Sequence, residues 1–333
     1  MRSEATSEKV TRGEQPQAGI LTLPMRVLGT LFSRFGIVVA WIVLSALIAI
    51  RSPVFLTATN LMNVLLQASI NAIVAVGMTF VITAGGIDLS VGSIVGLAGM
   101  LVARMLVKGM GMPAAMAGSL ALGLFCGCLN GFLIARFKLP PFVVTLGSMS
   151  ILRGLALIYN QGRPIYGLKA KDVLQVAGYV GAVPKPVIIA AIAAGVAYFI
   201  YNHTRIGEYT IAIGGNEEAA RLSGINLAKY KVLIYGFCGL MCGLAGAVLT
   251  ARLYAAEPIA GSGYELDAIA ATVMGGTSLS GGEGTIIGTI VGALLMSVLR
   301  NGLNLLNVQS YYQQLVIGVV IVLAVIIDRL RKE

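Results

Sequence analysis

Long apolar runs separated by short polar segments make up the chain from residue 35 onward. Most of these runs have roughly 17 to 25 residues, the length of α-helix that crosses a bilayer. Their apolar residues do not alternate with polar ones at every second position, as transmembrane β-strands would require. The pattern therefore predicts an all-α, polytopic integral membrane protein.

The runs predict about ten transmembrane helices. They cover residues 35–50, 61–83, a segment ending near 107, 113–135, 140–159, 184–202, 231–252, 265–280, 285–305 and 311–328. An even count puts both chain termini on one side, and the basic residues at the ends of the runs make that side the cytoplasm. The charged loop at 161–183 falls outside and fits this rule less well.

The same division predicts three parts of the chain. Residues 1–34 form a mostly disordered cytoplasmic tail, 35–328 a transmembrane domain with a cytoplasmic loop at 204–230, and 329–333 a short cytoplasmic tail.

Composition agrees with a membrane protein. Of the 333 residues, 57% are hydrophobic and only 11% are charged, whereas a soluble domain has about a quarter of its residues charged. The net charge of +10 is not gathered on a soluble module, so we do not expect nucleic-acid binding. The four cysteines lie inside apolar runs at spacings that fit neither a zinc site nor a disulfide framework.

The polar stretch from Thr204 to Lys231 interrupts the apolar runs in the second half. Gly214-Gly215 breaks the chain, Asn216 is a good helix N-cap, and two glutamates come next, where the helix dipole favours acids. Gly224 can end this helix in a left-handed cap. A helix of about two turns is unstable alone in water, which indicates an element that docks on a partner.

A motif of pattern GGxxLSxG occurs twice, at residues 85–92 and 275–282. Each copy lies between an apolar run and a small-residue helix. Internal repeats with glycine-interrupted segments are common in transporters. The motif suggests internal duplication, with a parallel and an inverted relation both open.

Nothing in the chain predicts catalysis or a metal site. Residues 279–283, LSGGE, look like part of an ATP-binding cassette, but no Gly-Lys dipeptide occurs, so the chain has no phosphate-binding loop. His203 is the single histidine. We therefore expect a protein that is not an enzyme, holds no metal or cofactor, and relies on another chain for any use of ATP and Mg²⁺.

Asp88 is the acid of most interest, because most other acids lie in tails and loops. It either caps the third helix or binds a cation or proton within the membrane, and the cap costs less. Glu265 and Asp267 are expected in the first turn of the eighth helix. Arg153 and Arg300 are expected to pair with acids or to reach toward the interface.

A solute path needs polar side chains, and neutral amides and hydroxyls suit an uncharged polyhydroxylated solute better than an ion. Interhelical hydrogen bonding is an equally good explanation for any one of them. The tentative pathway residues are Asn71, Asp88, Ser90, Asn301 and Asn304.

Several long stretches together resemble the membrane permease of ribose-type ABC importers. They are residues 68–100 (ASINAIVAVGMTFVITAGGIDLSVGSIVGLAGM), 141–154, 214–226 (GGNEEAARLSGIN), 263–295 and 301–313. The resemblance covers nearly everything from about residue 55 to 328.

This resemblance implies a permease of the bacterial inner membrane that pairs with a second copy or a paralogue. It implies cytoplasmic ATPase subunits and a periplasmic sugar-binding protein as further partners. It also implies the importer coupling motif, EAA-x3-G, followed by Ile-x-Leu-Pro; here Gly236-Phe237 replaces Leu-Pro. The ATPase-coupling residues would be Asn216, Glu217, Glu218, Ala219, Ala220, Arg221, Ser223 and Gly224.

The function expected from the sequence is therefore import of a monosaccharide that is delivered by a binding protein and driven by a separate ATPase. The alternative from the residues alone is a secondary transporter coupled to an ion through Asp88, which would need no ATPase.

Overall fold

The computed structural model describes the backbone of residues 22–330 and the side chains of 37–323 and 326. The regular secondary structure of this part of the chain is helical, apart from one small hairpin and an isolated bridge between Ile165 and Ala256. The helices are α1 (Thr22–Arg51), α2 (Ala58–Thr83), α3 (Val91–Val107), α4 (Met112–Phe137), α5 (Pro141–Tyr159), α6 (Ala170–Ala177), α7 (Lys185–His203), α8 (Arg205–Gly215), α9 (Glu217–Leu222), α10 (Leu227–Leu253), α11 (Tyr264–Met274), α12 (Ile286–Leu305) and α13 (Ser310–Leu330).

Six helices within the described residues are long and apolar enough to cross a bilayer: α2, α4, α5, α7, α10 and α12. Shorter apolar segments occur in α1, α3 and α13. The predicted eighth span was too long. Its helix, α11, has 11 residues, about 16 Å at 1.5 Å per residue, whereas a bilayer core is about 30 Å thick.

Helix α1 begins at Thr22, so residues 22–34 are helical, whereas the sequence predicted a mostly disordered tail up to residue 34. The rest of the predicted N-terminal tail, and residues 331–333, lie outside the described residues. The loop at 161–183 contains helix α6 and leads into a hairpin, and neither was predicted from the sequence. The hairpin strands β1 (Tyr179–Val180) and β2 (Val183–Pro184) pair antiparallel, with Tyr179 opposite Pro184.

The two Gly-Gly motifs end helices α2 and α11 with the same type of cap, but the left-handed glycine is the first of the pair in one motif and the second in the other. Gly85 and Gly276 have positive φ, 77° and 93°, which L-residues with a Cβ disfavour. At the first end, Gly85 N donates to Ile82 O and Gly86 N to Val81 O; at the second, Gly276 N donates to Val273 O and Thr277 N to Thr272 O. This is the hydrogen-bond pattern of a left-handed helix C-cap.

Helices α2 and α11 run in the same direction, because both lie antiparallel to α12. Along α2, Asn60 bonds Asn301 and Thr79 bonds Thr289. Along α11, a Cβ on Gly275 would overlap Gly288, and a Cβ on Gly292 would overlap the backbone of Ala271. Both Gly-Gly ends therefore point toward the same end of the bundle.

Helices α4 and α10 pack backbone against backbone through small residues. Gly123, Gly127 and Gly131 of α4 face the α10 backbone at Gly239, Tyr235 and Val232, and any Cβ added there would overlap it. Ser119 Oγ adds a hydrogen bond of 2.7 Å to Gly243 O. In a membrane, where lipid is as apolar as leucine, such close approach is what favours helix association.

Large apolar side chains cover the outside of α5 and α7. Ile158, Ile151, Ile192 and Phe199 are all exposed by more than half of their surface. This surface suits lipid or a second membrane subunit. The polar side chains Ser150 and Arg153 of α5, in contrast, line a cavity.

Candidate functional site

The polar stretch at 204–231 folds as two consecutive helices, α8 and α9. Thr204 Oγ1 accepts a hydrogen bond from Ile206 N at the start of α8. Asn216 then separates the helices with extended backbone (φ −158°), and its Oδ1 accepts from Ala219 N at 2.9 Å. The predicted N-cap is confirmed.

Gly214 and Gly215 are the last residues of α8, so the predicted break in the chain at these two glycines was wrong. Gly214 is required for close packing. A Cβ there would overlap Thr83 O at the end of α2 and Gly282 N in the segment after α11. Gly282 N also donates to Thr83 O at 2.8 Å. Helix α8 therefore touches the chain around both Gly-Gly ends.

Helix α9 ends as predicted. Gly224 has a φ of 83°, Gly224 N donates to Arg221 O, and Ile225 N donates to Ala220 O. Ala220 is buried, while Ser223 is exposed and its Oγ donates to Ala219 O. One face of α9 thus rests on the protein and the other is free for a partner.

Two ion pairs involve side chains of α9, one within the helix and one between its first residue and α10. Arg221 donates to both carboxylate oxygens of Glu218, with Nε 3.0 Å from Oε2, and this hydrogen bonding lowers the pKa of Glu218. Glu217 pairs with Lys231 of α10 at 2.7 Å. Glu218 is therefore an ionised, exposed carboxylate at neutral pH, on a helix tied to the base of α10.

A cavity of about 730 Å³ opens beside α9. It extends from the coupling residues Glu218 and Arg221 to Lys138 and Pro141, where α4 turns into α5, and to Gly86 at the first Gly-Gly end. The exposed face of α9, the α4–α5 turn and the end of α2 therefore border one open space.

The five tentative pathway residues lie in three separate places. Asp88 and Ser90 belong to a buried network: Asp88 Oδ1 accepts from Ser90 N and Oγ at 2.8 and 2.6 Å. Asn130 Nδ2 donates to Ser90 Oγ, and Ser148 Oγ of α5 donates to Asn130 Oδ1. Asp88 is not the N-cap of α3; that position is Ser90, and Asp88 closes a turn two residues earlier.

Asn301 forms a reciprocal amide pair with Asn60, with distances of 2.9 and 3.0 Å. Such a pair joins α2 to α12. Asn71 and Asn304 instead line a cavity of about 250 Å³ together with Asp267 and Arg300, which form an ion pair of 2.7 Å. The expected pairing of Arg300 with an acid is confirmed, as are the first-turn positions of Glu265 and Asp267.

Arg153 does not form an ion pair in the described part of the chain. Its Nη1 donates to Pro258 O and Ala260 O at 2.6 and 2.9 Å. These partners could not be predicted from the sequence, because every residue type has a backbone carbonyl and the irregular segment has no periodic pattern.

Comparison with known proteins gives a consistent result. Residues 60–325 match the family model for the branched-chain amino acid transport system permease component. The ribose import permease protein of Escherichia coli K12 is 48% identical over 295 residues, covering 87% of this chain and 92% of the relative. Its counterpart in Bacillus subtilis 168 is 47% identical, covering 86% and 90%.

The D-allose transport system permease protein of Escherichia coli K12 is 38% identical, covering 90% of this chain and 92% of the relative. No solved structure matches the chain. The family match, the extent of these similarities and the apolar helices agree: the chain is a multi-pass membrane protein of the branched-chain amino acid transport system permease component family.

Proposed function

We propose that this chain is the membrane permease subunit of a bacterial ABC importer for a monosaccharide. The relatives are named for ribose, D-allose and L-arabinose. The observation that carries the proposal is α9, a capped helix whose charged face is exposed while a buried alanine holds it on the bundle. The solute would come from a periplasmic binding protein.

ATP and Mg²⁺ would be bound by separate cytoplasmic ATPase subunits, and this chain would bind no cofactor and catalyse no reaction. The absence of a phosphate-binding GxxxxGK[ST] loop from the sequence supports this division. The partners would be two ATPase subunits, the binding protein, and a second copy of the permease or a paralogue.

The proposed topology has ten membrane segments and both termini in the cytoplasm, in the bacterial inner membrane. Helix α11 would complete its crossing with the irregular residues 275–285. Non-helical backbone at this depth is tolerated when protein covers it, and Gly281 and Gly282 lie against α8. The shared direction of α2 and α11 favours a parallel relation between the two GGxxLSxG copies.

The mechanism that this arrangement favours is mechanical. ATP would close the ATPase dimer and carry α9 with it. Because Gly214 of α8 contacts Thr83 and Gly282, the movement would reach both Gly-Gly ends and shift the membrane helices between two states. ATPase binding would bias this two-state equilibrium, as coupling requires.

The docking role of α9 is tested by Glu218→Ala and Gly224→Val. Glu218→Ala removes an exposed carboxylate, and Gly224→Val strains a left-handed position. Both variants should insert normally but lose ATPase association and ATP-driven D-ribose uptake in proteoliposomes. Glu208→Ala is the matched control, because it removes an exposed acid from the neighbouring helix α8. Normal uptake by both variants would refute the docking role.

The second candidate is an ion-coupled secondary transporter acting through Asp88. Asp88 is fully buried, and its Oδ2 has no hydrogen-bond partner among the described residues, an arrangement that also suits proton binding. Solute uptake by the purified chain alone under an ion gradient, abolished by Asp88→Asn, would favour this candidate.

A further inference from the structure

A third cavity, with several polar side chains in its lining, is bordered by the other half of α5, away from α9. It has a volume of about 430 Å³, within the range of about 300–1,000 Å³ that small-molecule sites occupy. Its polar lining is Ser93 of α3, Ser150 and Arg153 of α5, and Ser262 and Glu265 at the start of α11. None of these five was among the tentative pathway residues.

Ser93 supplies an unused hydroxyl. Its side chain is 1% exposed, and its Oγ has no hydrogen-bond partner in the part of the chain that the structure describes. A buried polar group without a partner costs about 1–3 kcal/mol. In a cavity wall, a bound hydroxylated molecule would remove that cost.

Arg153 is a fixed donor inside a membrane helix. It is the thirteenth residue of the 19-residue α5, about 18 Å from its start at 1.5 Å per residue. The carbonyls of Pro258 and Ala260 hold Nη1. No hydrogen bond within the described residues uses Nη2 or Nε, so this half of the guanidinium remains free to donate. A charge at this depth faces protein or water and marks a functional position.

Glu265 supplies the opposite charge. Its Oε1 accepts only a weak hydrogen bond of 3.2 Å from Gly263 N, and it forms no ion pair with Arg153 among the described residues. The cavity thus has a cation and an anion that face the same space without neutralising each other directly. The two charges cancel overall, which favours a neutral ligand with both donors and acceptors.

We propose that this cavity is a binding site for the transported solute, a neutral polyhydroxylated molecule of monosaccharide size. Arg153 donates to the hydroxyl oxygens of the solute, and Glu265 accepts from its hydroxyl groups. Ser93 Oγ, in the cavity wall, is the third hydrogen-bonding group. The proposal rests on the proposed function and deepens it, because it assigns solute recognition to the permease itself.

Helix α5 borders both this cavity, at Arg153, and the cavity beside α9, at Pro141. Between them, Thr145 Oγ1 donates to Ile87 O and Ser148 Oγ donates to Asn130 Oδ1. These bonds hold α5 against the first Gly-Gly segment and against α4.

The test uses the full chain assembled with its ATPase and binding protein in proteoliposomes, with radiolabelled D-ribose and saturating binding protein. Arg153→Met should lower uptake about tenfold, and Ser93→Ala about threefold, by loss of hydrogen bonds to the solute. Glu265→Gln should change the preference among D-ribose, D-allose and L-arabinose. Arg153→Lys should restore part of the rate. ATP hydrolysis stimulated by loaded binding protein should persist in all of these variants.

Two variants serve as matched controls. Ser45→Ala removes another hydroxyl without a hydrogen-bond partner among the described residues, in α1 and outside the cavity. Arg104→Met removes an exposed cation near the end of α3. Both should transport like the wild type, and every variant should keep the oligomeric state of the wild type in light scattering.

If the Arg153, Ser93 and Glu265 variants import sugar at the wild-type rate and with the wild-type preference, the proposed binding site is wrong and the proposed function is unaffected. Altered oligomeric state in those variants would overturn the site in favour of a subunit interface. No uptake of any of the three sugars by the wild-type assembly would overturn the proposed function and the site together.

Discussion

The two Gly-Gly helix ends share a local structure but lead into segments of different structure. Each helix is capped by the same two hydrogen bonds, which Gly85 and Gly86 donate at the first end and Gly276 and Thr277 donate at the second. Each is followed by the same small turn: Ser90 N donates to Asp88 Oδ1, and Ser280 N donates to Ser278 Oγ. Local sequence therefore determines both helix ends and both turns.

Beyond the turns, the two segments diverge. After the first, α3 starts at Val91 and Asp88 is enclosed by Ser90 and Asn130. After the second, the chain continues without helix until Ile286 and donates from Gly282 N to Thr83 O. The first motif thus leads directly into a helix, while the second leads into an irregular segment that packs on the end of α2. Similar motifs acquire different roles from their tertiary neighbours.

The largest effect is expected at the contact that the two ends share. Gly214→Ala would push a methyl group into the backbone of Thr83 and Gly282, at a cost of more than about 3 kcal/mol for overpacking that cannot relax. Thermal unfolding in detergent and ATP-driven uptake should both show the loss.

Gly215→Ala is the matched control, because a Cβ at this neighbouring position meets no atom within 4 Å. It should be neutral or stabilising by up to about 1 kcal/mol, the helix preference of alanine over glycine. Equal stability of the two variants would show that α8 does not press on the Gly-Gly ends.

An intermediate effect is expected in the first turn. Asp88→Ala removes the acceptor of two buried hydrogen bonds and should destabilise the protein by about 1–3 kcal/mol. Asp88→Ser places in the first turn the residue that occupies the same position in the second, so it should recover part of that loss in thermal unfolding.

Asp88→Asn keeps an acceptor oxygen and removes the charge. ATP-driven uptake should survive this change if the side chain is structural. Loss of uptake in a stably folded Asp88→Asn variant would break the comparison between the two turns and favour ion coupling.

The smallest effects are expected at the left-handed glycines. Gly85→Ala and Gly276→Ala should each cost about 1–2 kcal/mol, the penalty for a Cβ at positive φ. A Cβ at either position would meet no atom closer than 3.9 Å, so backbone strain is the only penalty. The thermal shifts of the two variants should match; a clear difference would mean that the ends are less alike than their hydrogen bonds indicate.

Features with local causes could be predicted from the sequence, and features with tertiary causes could not. The Asn216 cap and the Gly224 helix end depend on residues within one turn, and both were predictable. The end of helix α8 was not predicted, because Gly214-Gly215 has the composition of a chain break. Gly214 is instead required because a Cβ there would overlap Thr83, more than a hundred positions earlier in the chain.

The cavity residues were beyond sequence reasoning for a similar reason. Ser93, Arg153 and Glu265 come from three helices, and no spacing brings them together. Among the amides, Asn301 resembled a pathway residue as closely as Asn304 did, and only the tertiary structure distinguishes them. Asn301 pairs with Asn60, whereas Asn304 accepts from Gln313 and lines the cavity beside Arg300.

The glycine contact between α4 and α10 has a consequence for biosynthesis. Gly127 lies against Tyr235, and the ribosome needs on the order of 5–20 s to add the intervening residues at about 5–20 residues per second. During that interval the glycine face of α4 has no α10 to pack against. A chaperone or insertase that shields α4 would act in this window, and slowing translation between the two helices would lengthen it.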